Sequence, residues 1–177
     1  KQIEVSPLLK HKALKTPKKI QIPFSEKELD MVLNQLRFSE GFDGVRDKLI
    51  IDLFYTTGIR RTELIHLLVA NVNASSNTLK VLGKRNKERV IPFSMQLVQL
   101  IRDYVQIRNK EVEKKEHGYL LVTDSGEPLY PMLVNRTVKK YMKLFTSVEK
   151  KSPHVLRHTY ATHLLNKGAE INAVKDL

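Results

Sequence analysis

The spacing of apolar residues along this chain changes character in the middle, and that change narrows the folds open to it. Up to residue 68 apolar side chains return every three or four positions, as one face of a helix requires. The stripes are Leu29, Val32, Leu33 and Leu36, then Leu-Ile-Ile-Asp-Leu-Phe-Tyr at 49–55, then Leu64, Ile65, Leu67 and Leu68. Residues 78–82 and 89–92 instead read as short strands, joined through 83–88 in a small antiparallel hairpin. Helical spacing resumes over 95–113, with Leu97, Val98, Ile101, Tyr104 and Val105 inward, and again over 132–148. Residues 119–122 are expected to add a third strand, followed by a turn at 124–126. The predicted fold class is mainly α with a small antiparallel β-sheet (α+β).

Helix ends are legible as well. Ser25-Glu26-Lys27-Glu28 fits a capping box, with Phe24 and Leu29 placed for a hydrophobic staple. Gly41 and Gly44 suggest a turn before a helix over 45–57, which Gly58 should break. A short helix is expected from about Thr62. Ser152 reads as an N-cap with Pro153 in the first helical position, and Gly168 as the C-terminal stop.

At 177 residues and 41% hydrophobic content, the chain suits one globular domain. It has no cysteine, so disulfide scaffolds and thiolate metal sites are excluded. No apolar run reaches membrane-spanning length, and no signal peptide opens the chain. No membrane partner is expected, and the segment reads as a cytoplasmic fragment.

Charge points to a polyanion. Lys and Arg number 31 against 19 Asp and Glu, a formal net charge of +12. Basic side chains release the counterions condensed on nucleic acid, so such an excess favours that partner. The excess is clustered. Residues 1–20 carry six lysines against Glu4, with Pro7 and Pro17, and read as a basic interdomain linker. Lys80, Lys84, Arg85, Lys87 and Arg89 form a second cluster, and Arg136, Lys139, Lys140, Lys143, Lys150 and Lys151 a third. Charges over 108–116 alternate in sign, as on a solvated helix face.

Three segments carry chemistry: Thr56-Thr57-Gly58-Ile59-Arg60-Arg61-Thr62-Glu63-Leu64, then Gly83-Lys84-Arg85-Asn86-Lys87-Glu88-Arg89-Val90-Ile91-Pro92, then Ser152-Pro153-His154-Val155-Leu156-Arg157-His158-Thr159-Tyr160-Ala161-Thr162-His163. His154 and Arg157 lie three apart near a helix amino end, where free N–H groups also favour an anion. Arg60 follows a glycine turn and approaches from elsewhere. A guanidinium is always charged and presents a fork of donors to phosphate. Such a set meets the charge that builds on a phosphodiester under in-line attack.

In this order and spacing the segments resemble the signature of tyrosine recombinases (phage-type integrases), most of all the Xer-like and transposon integrase branch. The resemblance runs from about Thr16 onward and implies that family's catalytic-domain fold. It implies Arg60 and Arg157 on the scissile phosphate, His154 as hydrogen-bond donor and proton-transfer group, and Lys84 as general acid for the 5′-hydroxyl. Glu63 and His158 are supporting groups, while Arg85, Lys87, Arg89, Lys139 and Lys140 hold DNA backbone. The implied reaction is site-specific recombination through a 3′-phosphotyrosyl intermediate, without metal or other cofactor. The partners are double-stranded DNA and other recombinase protomers, as a tetramer on DNA. The location is nucleoid-associated.

The family pattern continues past Gly168 with a leucine-glycine-histidine motif and then the nucleophilic tyrosine, so the nucleophile is not expected within 1–177. The segment is read as a catalytic domain over 21–177, incomplete at its C-terminus, without the N-terminal core-binding domain and inactive alone. Tyr160 is expected in the core, and His163 as a satisfied structural histidine. His154 and His158 have metal-pair spacing, but no glutamate follows the first histidine and Arg157 would crowd a cation. The alternative function is a non-catalytic DNA-binding module that retains the fold.

Overall fold

The computed structural model describes residues 22–35, 37–83, 88–113, 117–144, 146, 151–171 and 174. The basic segment 1–20, the hairpin tip with Lys84, Arg85 and Lys87, and Leu36 lie outside them.

Helix α1 (Glu26–Asp30) begins with the capping box: the Glu28 N–H donates to Ser25 Oγ at 3.2 Å, and the Ser25 N–H donates to Glu28 Oε2 at 2.8 Å. Phe24 and Leu29 are both 1% exposed, which fits the staple. The helix runs on as a π-helical turn, Met31–Gln35.

The centre of the domain is α2 (Phe42–Thr57), which buries residues around most of its circumference, among them Leu49, Ile50, Ile51, Leu53 and Phe54. A helix apolar on nearly all sides must be covered on nearly all sides. Here α4 (Met95–Glu111), α5 (Pro131–Met142) and α6 (Pro153–Asn166) provide the cover. The helix starts three residues before its expected onset. Gly44 lies inside its first turn, where an added Cβ would sit 1.6 Å from the Ser39 carbonyl oxygen. Gly44 is thus required by a close backbone approach and does not mark a turn. Arg46 is buried in α2 and pairs with Asp43 at 2.8 Å and with Asp124, lying 5.3 Å above the Phe42 ring. Asp47 accepts from Thr137 Oγ1 at 3.2 Å. These contacts bind α2 to the 123–126 turn and to α5.

Helix α3 (Arg61–Ile65) is short, and Leu64, Ile65 and Leu67 are buried as expected. Leu68 is 37% exposed, because the chain has left the helix and runs outward there. The sheet is antiparallel in the order β1 (Val72–Asn73), β2 (Thr78–Leu82), β3 (Glu88–Pro92). Pairing runs from Thr78 opposite Pro92 to Leu82 opposite Glu88.

The third strand is therefore β1, not residues 119–122. That segment makes only isolated bridges, Leu68 with Tyr119 and Val122 with Pro128. Its backbone is taken up elsewhere. The Leu120 N–H donates to the Leu67 carbonyl at 2.7 Å, and the Val122 N–H to Tyr104 Oη at 3.1 Å. The Tyr119 and Leu120 carbonyls accept from Arg108 Nη1 at 3.1 and 2.9 Å. Satisfied backbone groups have no need of a strand partner. Helix α4 ends at Glu111, and α5 ends at Met142, short of its expected end at 148. Residues 147–150 are outside the described set. No helix among the described residues is long and apolar enough to cross a membrane.

Candidate active site

Two turns bring the site together. Helix α2 ends at Gly58, which takes the left-handed conformation at φ 60° and ψ 22°, its N–H donating to the Phe54 carbonyl at 3.1 Å. Glycine reaches that conformation without steric cost, so the chain turns sharply and delivers Arg60 to the start of α3. There Glu63 caps the helix in reverse, its Oε2 accepting from the Arg60 N–H at 2.8 Å. Helix α6 starts at Pro153, with Ser152 as the cap residue and Gly168 at φ 89° just past its end. The Ser152 Oγ is buried and makes no hydrogen bond among the described residues, while the Ser152 carbonyl accepts from the Val155 N–H at 3.0 Å.

Glu63 is the hub, with a side chain 3% exposed. Its Oε1 accepts from Arg60 Nη1 at 2.8 Å and from Arg89 Nη1 at 2.6 Å, and its Oε2 from Arg89 Nη2 at 2.8 Å. Burial alone would raise its pKa, but the hydrogen bonds from Arg89 and Arg60 prevail and hold it below the usual carboxylate value. Arg157 completes the group by donating from Nη1 to the Gly58 carbonyl oxygen. Its pKa is pushed down to about 10, first by burial and then by the positive charge of Arg60, with Arg89 adding to the repulsion. Two guanidiniums share the Glu63 carboxylate and a third, Arg157, stands close by on the Gly58 carbonyl, so the site carries an excess of positive charge that an anion would relieve.

The structure therefore brings together Arg60, Glu63, Arg89 and Arg157. His154 is exposed one turn before Arg157, and His158 is exposed next to it. Lys84, Arg85 and Lys87 lie outside the described residues. Lys139 and Lys140 are exposed on α5, and Lys140 Nζ lies 4.6 Å from the Tyr141 ring centroid and 3.8 Å from Asp47 Oδ2. Arg89 does not point into solvent. Its side chain is 18% exposed and its fork faces Glu63. The signal was available in the strand period, since Arg89 and Ile91 must share a face and Ile91 is an evident core residue. The Gly58 carbonyl as the anchor of Arg157 has no signature in sequence.

His163 is buried, with Nε2 3.1 Å from the Phe24 carbonyl oxygen and Nδ1 3.2 Å from Tyr55 Oη. Tyr160 is half-buried and not fully in the core, and burial raises its hydroxyl pKa.

The mainly helical domain and its three-stranded sheet have counterparts among known proteins. The sequence profile of the phage integrase family matches residues 24–177. The tyrosine recombinase XerC of Chlorobaculum tepidum is 33% identical over 99% of this chain and 58% of its own length. The XerC of Staphylococcus carnosus is 37% identical over 91% of this chain and 55% of its own. The chain belongs to the phage integrase family of tyrosine recombinases, and it spans about half the length of the relatives it matches.

Solved structures share the fold. The XerH site-specific recombinase bound to difH substrate, a pre-cleavage complex, superposes with a TM-score of 0.78 at 22% identity, over 91% of this chain and 48% of that one. The Tn1549 transposon integrase in complex with circular intermediate DNA gives 0.70 at 20% identity, over 92% and 58%.

Proposed function

We propose that this chain grips the scissile phosphate in a site-specific DNA recombinase that cuts and rejoins strands without metal or nucleotide cofactor. The carrying observation is that Arg60 and Arg157 reach one place from separate elements. Each is braced, Arg60 by Glu63 and Arg157 by the Gly58 carbonyl, and positive charge is left over. A protein that only bound DNA would need charge, but not this bracing.

In this reading a tyrosine outside residues 1–177 attacks the phosphorus in line. Its oxygen gives up its proton and bonds to phosphorus, the bond to the 5′ oxygen breaks, and the leaving oxygen takes a proton, so no net proton is consumed. Arg60 and Arg157 meet the charge on the non-bridging oxygens. Lys84 supplies the proton, and His154 donates a hydrogen bond to the phosphate and assists proton transfer. The phosphotyrosyl bond conserves the energy of the broken ester, so a 5′-hydroxyl reverses the step without ATP. Residues 1–20 tether this domain to a DNA-clamping domain, and protomers assemble as a tetramer on two duplexes at the nucleoid.

The test is Arg157→Ala in the full-length protein. DNA affinity should stay within about threefold while covalent protein–DNA adduct disappears, because a single phosphate contact is a small share of a large electrostatic sum. Equal loss of both would favour a binding module that retains the fold. Loss of cleavage on adding EDTA would overturn the metal-free reading.

A further inference from the structure

We propose that Arg89 is a positioning residue that acts through Glu63 to keep Arg60 available to a phosphate, and that it makes no DNA contact of its own. The inference rests on the phosphate-gripping reading above. An ionised carboxylate offers about four acceptor directions. All four on Glu63 are used, two on Oε1 by Arg60 Nη1 and Arg89 Nη1, and two on Oε2 by Arg89 Nη2 and the Arg60 N–H. Arg89 holds its place in turn because β3 sends it to the same side as Ile91, paired with Val81 of β2.

Saturation has a consequence. Arg60 is tied to Glu63 through one terminal nitrogen only, and its side chain is 31% exposed. Its other side-chain donors have no partner among the described residues, which leaves them for a phosphate fork. With Arg89 gone, Glu63 would have two open acceptor directions in a buried place. An arginine and a carboxylate left alone prefer two parallel hydrogen bonds. Arg60 would turn its fork onto Glu63 and be neutralised there, so the site would lose an anion ligand without losing any residue that touches the anion. A lysine at 89 would restore the charge but not the fork, since an ammonium is a point charge.

The test uses this chain labelled with 13C-glutamate and 15N-arginine, with dimethyl phosphate as the phosphodiester probe. In Arg89→Ala the Glu63 carboxyl should titrate higher than in the parent, because the hydrogen bonds that hold it down are lost. Dimethyl phosphate, followed at the Arg60 side chain, should bind about tenfold more weakly, with partial recovery in Arg89→Lys. In a Glu63→Gln background Arg89→Ala should change binding less than about twofold, since coupled residues are not additive. An unmoved Glu63 titration, or the same loss with and without Glu63, overturns the proposal; the second result would make Arg89 a phosphate ligand. If Arg89→Ala does not fold, Arg89→Lys carries the same comparison. If the parent fails to bind dimethyl phosphate at Arg60, the phosphate-gripping reading fails, and the Glu63 titration alone still decides whether Arg89 governs that carboxylate.

Discussion

Arg157 on α6 donates a hydrogen bond to the carbonyl oxygen of Gly58, 99 residues earlier in the chain. One arginine is thereby held by the backbone turn that presents the other, and neither can move far alone. A backbone carbonyl at a left-handed glycine is a firm anchor, because its direction is set by the turn and not by a rotamer.

Gly58→Ala should therefore cost more than a surface substitution. A Cβ at φ 60° costs about 1–2 kcal/mol, and any relaxation of the turn swings the carbonyl away from Arg157. Urea denaturation should show a loss of that size. Arg157 side-chain N–H exchange should speed up by more than the stability loss explains.

Asp52 should make stability depend on pH in an unusual direction. Burial lifts its carboxyl to about 6, with Lys48 only partly opposing. A carboxyl whose folded value lies above its unfolded value takes up a proton on folding in the interval between them. Its contribution is thus most favourable below about pH 4 and is lost as pH rises through about 6. Asp52→Asn should stabilise the protein at pH 7.5 by roughly 1–3 kcal/mol, towards the lower figure because part of the side chain reaches solvent. The gain should vanish near pH 4. A gain independent of pH would mean that the carboxyl is not the cause.

The exposed lysines of α5 should act on affinity and not on chemistry. Lys139 and Lys143 stand one turn apart on its outer face, and both are exposed. If each neutralises a phosphate, Lys139→Ala and Lys143→Ala should each reduce the slope of log Kd against log salt by about one. The loss of affinity should be similar for any duplex sequence. Titrations from 50 to 200 mM salt provide the measurement. A loss confined to one DNA sequence would mean base contact instead.

What the sequence made legible was local. The Ser25–Glu28 box, the Gly58 stop and the Pro153 start are set by neighbouring residues, so each could be read from a few letters. Where a distant group decides, the reading failed. Gly44 failed closer to home: it looked like a turn, while its demand comes from the Ser39 backbone five residues earlier, packed against it. Residues 119–122 looked like a strand because Arg108, Tyr104 and Leu67, which occupy their backbone, are remote in sequence. Arg89 was counted with the hairpin cations, and the fork it turns toward Glu63, 26 residues away, was not foreseen. Arg60, Arg157 and Glu63 were singled out by motif, but the Arg60–Glu63 pair's link to Arg89 and the Gly58 anchor of Arg157 needed the fold.

Phe24 offers both of its backbone groups to α6, its N–H to Thr159 Oγ1 at 3.0 Å and its carbonyl facing His163 Nε2 at 3.1 Å. The partners lie 135 and 139 residues downstream. A ribosome adds about 5–20 residues per second, so the first described residues wait on the order of ten seconds before the helix that receives them exists. During that interval Phe24 and the side of α2 that packs on α6 have no permanent cover. The nascent domain is thus exposed to aggregation and proteolysis until α6 has been made to close it.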